Sequence, residues 1–145
     1  MINKWKLRTL RDLGQNALKK NPSLLSYHQM HSTESLADSV KLIKKDFKSV
    51  AYVGPYPEYF FSKMGDDIQN IEKIFIIDYS TSQLERAKKV LDKYFQNYEN
   101  LETYYMIVDH DLWPFKPKTL DLIVDNLSLH LCSDVQVSLK RLLIS

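Results

Sequence analysis

The sequence is most informative in what it has little of. Three glycines occur in 145 residues, well below the average of roughly 7%. The chain therefore has few residues from which a glycine-rich ligand loop could form. The single cysteine, Cys132, excludes an intramolecular disulfide and a zinc site made of several thiolates. No apolar run approaches the roughly 18 residues of a membrane helix, and we therefore predict no membrane span.

Motifs of metal and hydrolytic chemistry are also missing. The histidines stand at no spacing typical of metal ligands; they are His28, His31, His110 and His130. We find no Ser-His-Asp order and no P-loop. The sequence therefore predicts no metal site and indicates no catalytic residue.

Acidic residues are scarce near the N-terminus. Residues 1–48 hold ten basic and four acidic side chains, a net charge of +6, and since the whole chain carries +2 the remainder carries −4. Asp12 is the only acid in residues 1–31. Such a segment is typical of mitochondrial targeting, and the alternative is an arm that contacts nucleic acid, an acidic lipid or an acidic protein. We assign residues 1–31 to this arm and residues 32–145 to a folded domain.

Short apolar runs alternate with amphipathic segments along that domain. Four runs are β-prone, and they lie at 49–53, 73–78, 103–109 and 120–127. Near-continuous apolar runs are typical of parallel strands buried on both faces. Helical periodicity marks three further segments, 31–47, 80–98 and 133–143. Strands that alternate with helices indicate an α/β fold with a Rossmann-like, doubly wound parallel sheet.

Each predicted helix begins near residues that favour the N-cap position. The candidate caps are Ser32 or Thr33 for the first helix, Ser80 or Ser82 for the second, and Ser133 or Asp134 for the third. Their side-chain oxygens can accept from backbone N–H groups that have no partner inside the helix. These caps fix where we expect each helix to begin.

The residues after each strand are the candidate site, because ligands of parallel sheets bind outside the carboxyl ends of the strands. Those residues are Gly54, Asp78, Asp109 and Asn126. Asp78 lies 24 residues beyond Gly54, where an acid can accept from ribose hydroxyls of an adenosine; the alternative is an acid that complements the dipole of the next helix. Asp109 is either an acceptor for an adenine amino group or a solvated loop acid.

Three spaced motifs resemble the class I S-adenosylmethionine-dependent methyltransferases of the type 11 group. The motifs are IFIIDYSTSQLERA, IVDHDLWPFKPKTLDLIVDNLSLHL and VSLKRLL. Within that group the chain is most similar to mitochondrial methyltransferase-like assembly factors of respiratory complex I, which include an arginine hydroxylase. It is also similar to the bacterial carrier-protein methyltransferases of biotin synthesis.

The resemblance implies S-adenosylmethionine as the cofactor. It assigns six residues to cofactor binding: Gly54, Asp78, Tyr79, Asp109, His110 and Asn126. The loop after the first strand departs from the family, which has an acid followed by three alternating glycines. Tyr52 stands at the acid position and Gly54 at the first glycine, but Tyr56 and Glu58 occupy the next two. These side chains add bulk and charge where glycines let the backbone approach the cofactor, so we expect the methionine side of the site to be degenerate.

The resemblance also implies that the sheet is incomplete. The family sheet has seven strands, and this chain matches strands 1 to 4 and lacks strands 5 to 7. The fourth strand would then be an exposed apolar edge, which is prone to pair with another chain. We therefore expect a protein partner or a homodimer to cover it, or the sequence to be a fragment of a longer gene product.

Three functions remain open from the sequence. The first is a methyltransferase-like structural or assembly protein of the mitochondrion with a degenerate S-adenosylmethionine loop. The second is an active S-adenosylmethionine-dependent methyltransferase or hydroxylase that acts on a protein side chain. The third is an RNA-binding module that uses the basic arm.

Overall fold

The computed structural model describes residues 4–21 and 27–145. In chain order, the main elements of these residues are α1 (Lys4–Lys20), α2 (Tyr27–Lys41), β1 (Ser49–Val53), α3 (Pro57–Met64), β2 (Lys73–Asp78), α4 (Thr81–Phe95), β3 (Glu102–Ile107), β4 (Leu122–Asp125) and α5 (Val135–Ile144). Short 3-10 turns follow α3, β3 and β4. Within these ranges, no helix combines the length and the apolar character that crossing a bilayer requires.

The strands form one parallel sheet in the order β3-β2-β1-β4. This order confirms the predicted α/β fold with a Rossmann-like parallel sheet. The central strand β1 ends at Val53, which lies opposite Ile77 of β2 and Asp125 of β4. Because the strands are parallel, the residues that follow their carboxyl ends meet at one edge of the sheet.

One face of the sheet packs against α2, α3 and α4. Phe61 is fully buried there, and its ring meets Phe60 and Phe95 edge to face, with centroids 5.1 and 5.4 Å apart. Such pairs add about 0.5–1.5 kcal/mol to the free energy gained by burial alone. This packing fixes α3 on the sheet and so positions the loop that leads into it.

The opposite face carries a smaller apolar cluster. Its buried centre consists of Ala51, Val53, Ile77 and Val108. Trp113 and Phe115, from the segment between β3 and β4, pack against this centre with ring centroids 5.0 Å apart. The segment between β3 and β4 therefore covers this face of the sheet.

The first predicted helix begins and ends earlier than its periodicity indicates. The structure has α2 at Tyr27–Lys41, so the prediction of Ser32 or Thr33 as an N-cap is wrong. Thr33 is buried inside the helix, where its hydroxyl donates to the Gln29 carbonyl at 2.7 Å. A threonine bonded back to the preceding turn is satisfied without ending the helix.

The other two predicted helices have caps among the residues that the sequence offers. The side chain of Ser80 accepts from the backbone N–H of Gln83 at 3.1 Å and begins α4. Asp134 accepts in the same way from the backbone N–H of Val137 at 3.0 Å and begins α5. These two caps confirm the predictions at residues 80 and 134.

The last strand is shorter than the predicted run of 120–127. Leu127 has a φ of 55°, which no strand can accommodate. Before the strand, the Asp121 carboxylate accepts from the backbone N–H groups of Lys48 and Ser49 at 2.8 and 2.9 Å. Among the described residues β4 pairs with β1 alone, so it forms one edge of the sheet.

Candidate functional site

The carboxyl ends of β1, β2 and β4 bring three of the predicted residues to one place. The backbone N–H of Gly54 donates to Ile77 at 2.9 Å, and that of Asn126 donates to Val53 at 2.8 Å. Gly54 has a φ of 110°, and a Cβ at this position would lie 2.1 Å from the Asn126 carbonyl oxygen. The first glycine of the loop is therefore required by the packing of β1 against β4, and its contact with a cofactor stays a prediction.

Asn126 is fully buried and holds the loop after β1 in place. Its Nδ2 donates to Tyr52 Oη and to Thr33 Oγ1, both at 2.9 Å, and its Oδ1 accepts from Ser32 Oγ at 3.0 Å. Since these bonds use both ends of the amide, Asn126 connects β4 to α2 and β1. The prediction that it contacts a cofactor stays a prediction.

Tyr52 occupies the position at which the resembling family has an acid. Its side chain is fully buried, and its hydroxyl donates to the Pro55 carbonyl at 2.8 Å. Burial raises the pKa of the Tyr52 phenol above its ordinary value, so the group stays neutral. The neutral Tyr52 hydroxyl thus holds the loop by donating to its backbone, and the site has no negative charge at position 52.

Tyr56 takes a left-handed backbone conformation, with φ 58° and ψ 46°. This conformation is easy for glycine and costs other residues about 1–2 kcal/mol. The buried Tyr56 ring lies 4.9 Å from the Arg86 guanidinium carbon and 6.1 Å from the Tyr59 ring. A cation–π contact of this kind contributes about 0.5–2 kcal/mol, which is enough to offset the backbone strain. The loop has kept the backbone path of a glycine but fills the space beside it with a ring.

Glu58 lies in the first turn of α3 and forms an ion pair with Arg86 of α4. The carboxylate is about nine-tenths buried, and the guanidinium is more exposed. Because Arg86 also stacks on Tyr56, one side chain ties together both residues that replace glycines. The negative charge predicted at position 58 is therefore balanced by a residue outside the loop.

Asp78 ends β2 and is buried. Its Oδ1 accepts from the backbone N–H of Ser80 at 2.8 Å. This bond shapes the turn into α4, so the carboxylate lies close to the N-terminal end of that helix, where the dipole favours a negative charge. The observed contact of Asp78 is with the turn into α4, and both the helix-dipole role and the ribose role stay predictions.

The basic arm reaches this edge of the sheet, which the sequence did not indicate. Arg8 Nε donates to the Tyr79 carbonyl at 3.0 Å, and the Ser80 hydroxyl donates to Asp12. The ring of Tyr79 is buried. Asp12, the only acid of the first 31 residues, therefore makes a specific contact with the domain. Its isolation among basic residues was the one feature of the sequence that could have pointed to this contact.

Asp109 begins the 3-10 turn His110–Leu112 and lies beyond the end of β3. Its Oδ1 accepts from the backbone N–H of Asp111 at 2.9 Å, so its observed role is to cap that turn. The His110 side chain lies outside the described part of the structure. Contact of either residue with an adenine stays a prediction.

Comparison with protein families and curated proteins gives one distant relative. No family model matches the chain. The chain is 25% identical over 126 residues to the mouse (Mus musculus) protein named arginine-hydroxylase NDUFAF5, mitochondrial. The match covers 87% of this chain and 34% of the mouse protein, so the chain spans about a third of the length of the curated relative.

Comparison with solved structures identifies methyltransferase folds. A putative S-adenosyl-L-methionine-dependent methyltransferase from Methanococcus maripaludis matches with a TM-score of 0.64 and 14% identity, over 90% of this chain and 57% of that one. A chain from the complex of the Haloferax volcanii Trm112 methyltransferase activator with a putative methyltransferase matches with a TM-score of 0.61 and 14% identity, over 92% and 52%. The plantazolicin methyltransferase BpumL, solved with SAH, matches with a TM-score of 0.57 and 16% identity, over 92% and 47%.

These identities are too low to transfer an activity, but the shared strand order and the TM-scores show the fold. The chain therefore has a partial class I methyltransferase fold and is similar in sequence to the mitochondrial arginine hydroxylase NDUFAF5.

Proposed function

We propose that this chain is a methyltransferase-like protein with a degenerate S-adenosylmethionine loop and that it serves as a structural or assembly protein in the mitochondrion. The observation that carries the proposal is the loop after β1. There Tyr56, Glu58 and Arg86 occupy the space between the first turns of α3 and α4. In a cofactor-binding loop this space is kept open by glycines, which let the backbone approach the ligand.

The three side chains support each other, which makes the filled loop stable. Arg86 pairs with Glu58 and stacks on Tyr56, so displacing the tyrosine for a ligand would also disturb a largely buried ion pair. Breaking such a pair leaves a charge without compensation, at a cost of about 3–5 kcal/mol. A ligand that needs this space must supply that free energy, and we expect its affinity to fall accordingly.

The mitochondrial part of the proposal rests on the basic arm and on the relative. The segment of residues 1–31 has a single acid, and the similar mouse protein is a mitochondrial one. The assembly role follows from the resemblance to assembly factors and from the degenerate loop. Import of the full chain, with its own N-terminus, into isolated mitochondria tests this part.

A structural role requires a surface that takes a partner, and the edge at β4 fits one. A groove of about 360 Å³ runs between β4 and α5 and is lined mainly by leucines. Leu143 at its border is 84% exposed. We expect an extended segment of a partner protein to lie along β4, where open backbone groups accept a further strand. The Haloferax neighbour, which was solved in a complex with an activator protein, is a precedent for partners on this fold.

The second candidate function is an active S-adenosylmethionine-dependent enzyme, which two observations favour. Gly54 has kept a φ of 110° and position 56 a φ of 58°, so the backbone path of the loop is the one that glycines adopt. Asp78 also remains at the end of β2. If the Tyr56 ring packs beside the cofactor rather than in its place, this backbone conformation would be sufficient for cofactor binding.

A thermal shift experiment separates the two functions. A ligand at 100 times its Kd stabilises the folded state by about 2.7 kcal/mol, which raises the Tm of a domain of this size by several degrees. We expect S-adenosylmethionine to leave the wild-type Tm unchanged and to raise the Tm of Tyr56→Gly. Tyr56→Phe, which keeps the ring over Arg86, is the matched control and should behave as the wild type does. A shift for the wild type would support the enzyme instead.

A further inference from the structure

Helix α1 turns large apolar side chains outward. Trp5 is 76% exposed, Leu10 57% and Leu13 59%. Leu10 and Leu13 lie on one side of this helix, with Trp5 exposed at its border. Exposed apolar side chains that cluster in this way commonly mark an interaction site. The function proposed above uses the charge of the segment that contains α1 but not these exposed apolar side chains.

The orientation of α1 is fixed by polar contacts on its other side. Arg8 donates to the Tyr79 carbonyl at 3.0 Å, and Asp12 accepts from the Ser80 hydroxyl. Ordinary surface helices direct their apolar residues to the core and their polar residues to water. In α1 these two polar residues contact the domain, whereas Trp5, Leu10 and Leu13 face solvent.

The charge of α1 indicates what it would contact. The helix contains six basic residues and one acid, Asp12, and the carboxylate of Asp12 is bonded to Ser80. Lys6 and Lys20 are exposed on the same outward side as the leucines. A surface that combines cations with tryptophan and leucine is complementary to anionic headgroups that lie over hydrocarbon.

We propose that the outward face of α1 (Lys6, Leu10, Leu13 and Lys20) binds in the plane of an anionic lipid bilayer, with the leucines at the level of the acyl chains and the exposed Trp5 beside this face at the headgroup level. RNA would use the lysines but would leave the leucines in water. A folded acidic protein would have to offer an apolar groove of matching length. A bilayer is complementary to both the lysines and the leucines of this face and needs no matched shape. When bound, α1 would hold the carboxyl ends of the strands close to the membrane.

The test uses the full chain and vesicles of phosphatidylcholine, with and without phosphatidylglycerol. We expect binding to the anionic vesicles alone, a blue shift of tryptophan emission that is missing in Trp5→Phe, and weaker binding as salt is added. Lys6→Gln/Lys20→Gln should lower the partition coefficient by about fivefold for each lysine. Leu10→Asn/Leu13→Asn should abolish both the binding and the blue shift.

Matched controls keep the result interpretable. Leu42→Asn replaces an exposed leucine that follows α2 and should bind vesicles as the wild type does. Circular dichroism should show that every variant keeps its helix content. No binding at low salt, equal binding to neutral vesicles, or full binding by Leu10→Asn/Leu13→Asn would each overturn the proposal. Salt-dependent binding to single-stranded RNA without vesicle binding would overturn it in favour of RNA. None of these outcomes depends on whether the loop after β1 binds S-adenosylmethionine.

Discussion

Replacing Gly54 by alanine tests how the loop is anchored to the sheet. A Cβ on this residue would lie 2.1 Å from the carbonyl oxygen of Asn126, whereas real Cβ contacts are essentially never shorter than 3.0 Å. The loop and the end of β4 would have to separate by about 1 Å. That movement would weaken the bonds from Gly54 to Ile77 and from Asn126 to Val53, which are 2.9 and 2.8 Å long.

The magnitude follows from three contributions. A φ of 110° is strained for alanine and costs about 1–3 kcal/mol. Each weakened hydrogen bond costs about 1 kcal/mol, and the forced displacement adds a further overpacking term of about 1–3 kcal/mol. We therefore expect Gly54→Ala to lower the free energy of unfolding by about 4–8 kcal/mol, a large part of the 5–15 kcal/mol typical of a domain.

The other two glycines supply matched controls for urea unfolding followed by circular dichroism. Gly65 has a φ of 56° but nothing within 4 Å of a Cβ. Gly65→Ala should therefore lower the free energy of unfolding by the cost of backbone strain alone, about 1–3 kcal/mol. Gly14 lies within α1 with nothing within 4 Å, and Gly14→Ala should stabilise the chain by up to about 1 kcal/mol. The reasoning is refuted if Gly54→Ala is no more destabilising than Gly65→Ala.

Three further predictions concern polar contacts around the site. Asn126→Ala should cost about 2–3 kcal/mol in urea unfolding, because it leaves buried hydroxyl groups without their partner; a loss under 1 kcal/mol would contradict the anchoring role. Arg86→Met should cost about 3–5 kcal/mol because it leaves the Glu58 carboxylate without its partner, and the double variant Glu58→Gln/Arg86→Met should regain most of that loss in a double-mutant cycle. Hydrogen bonds from two backbone N–H groups lower the pKa of the Asp121 carboxyl. The ionised carboxylate therefore stabilises the fold at a pH above its unfolded pKa. This contribution to stability is lost as the pH falls through the lower folded pKa. Asp121→Asn should therefore be less stable than the wild type at pH 7, and the difference in stability should close as the pH falls below the folded pKa of Asp121; a difference that is independent of pH would count against this account.

The sheet could be predicted from the sequence because its strands are short apolar runs with polar ends. β1 and β2 begin and end where the predicted runs do. The start of α2 could not be found, because Thr33 has the residue type of a cap and yet is bonded within the helix. A cap and a back-bonded threonine have the same local sequence, and the bond from Thr33 to the Gln29 carbonyl distinguishes them.

The candidate site was predicted in its positions but not in its contacts. The sequence indicated that Tyr56 and Glu58 replace glycines, but it could not show that Arg86, 28 residues beyond Glu58, joins them. Asn126 as a ligand contact stays a prediction, and the structure adds contacts with Tyr52 and Thr33 that the sequence could not indicate. Such contacts depend on how crossover helices pack, which no local pattern encodes.

The central claim is that side chains in the loop after β1 prevent ordinary cofactor binding. Calorimetric titration of S-adenosylmethionine into the wild type, into Tyr56→Gly/Glu58→Gly, and into that double variant with Asp78→Asn tests it most directly. We predict no measurable binding to the wild type, binding to the double variant, and loss of that binding when Asp78 is also changed. Binding of S-adenosylmethionine to the wild type with a micromolar Kd would contradict the claim.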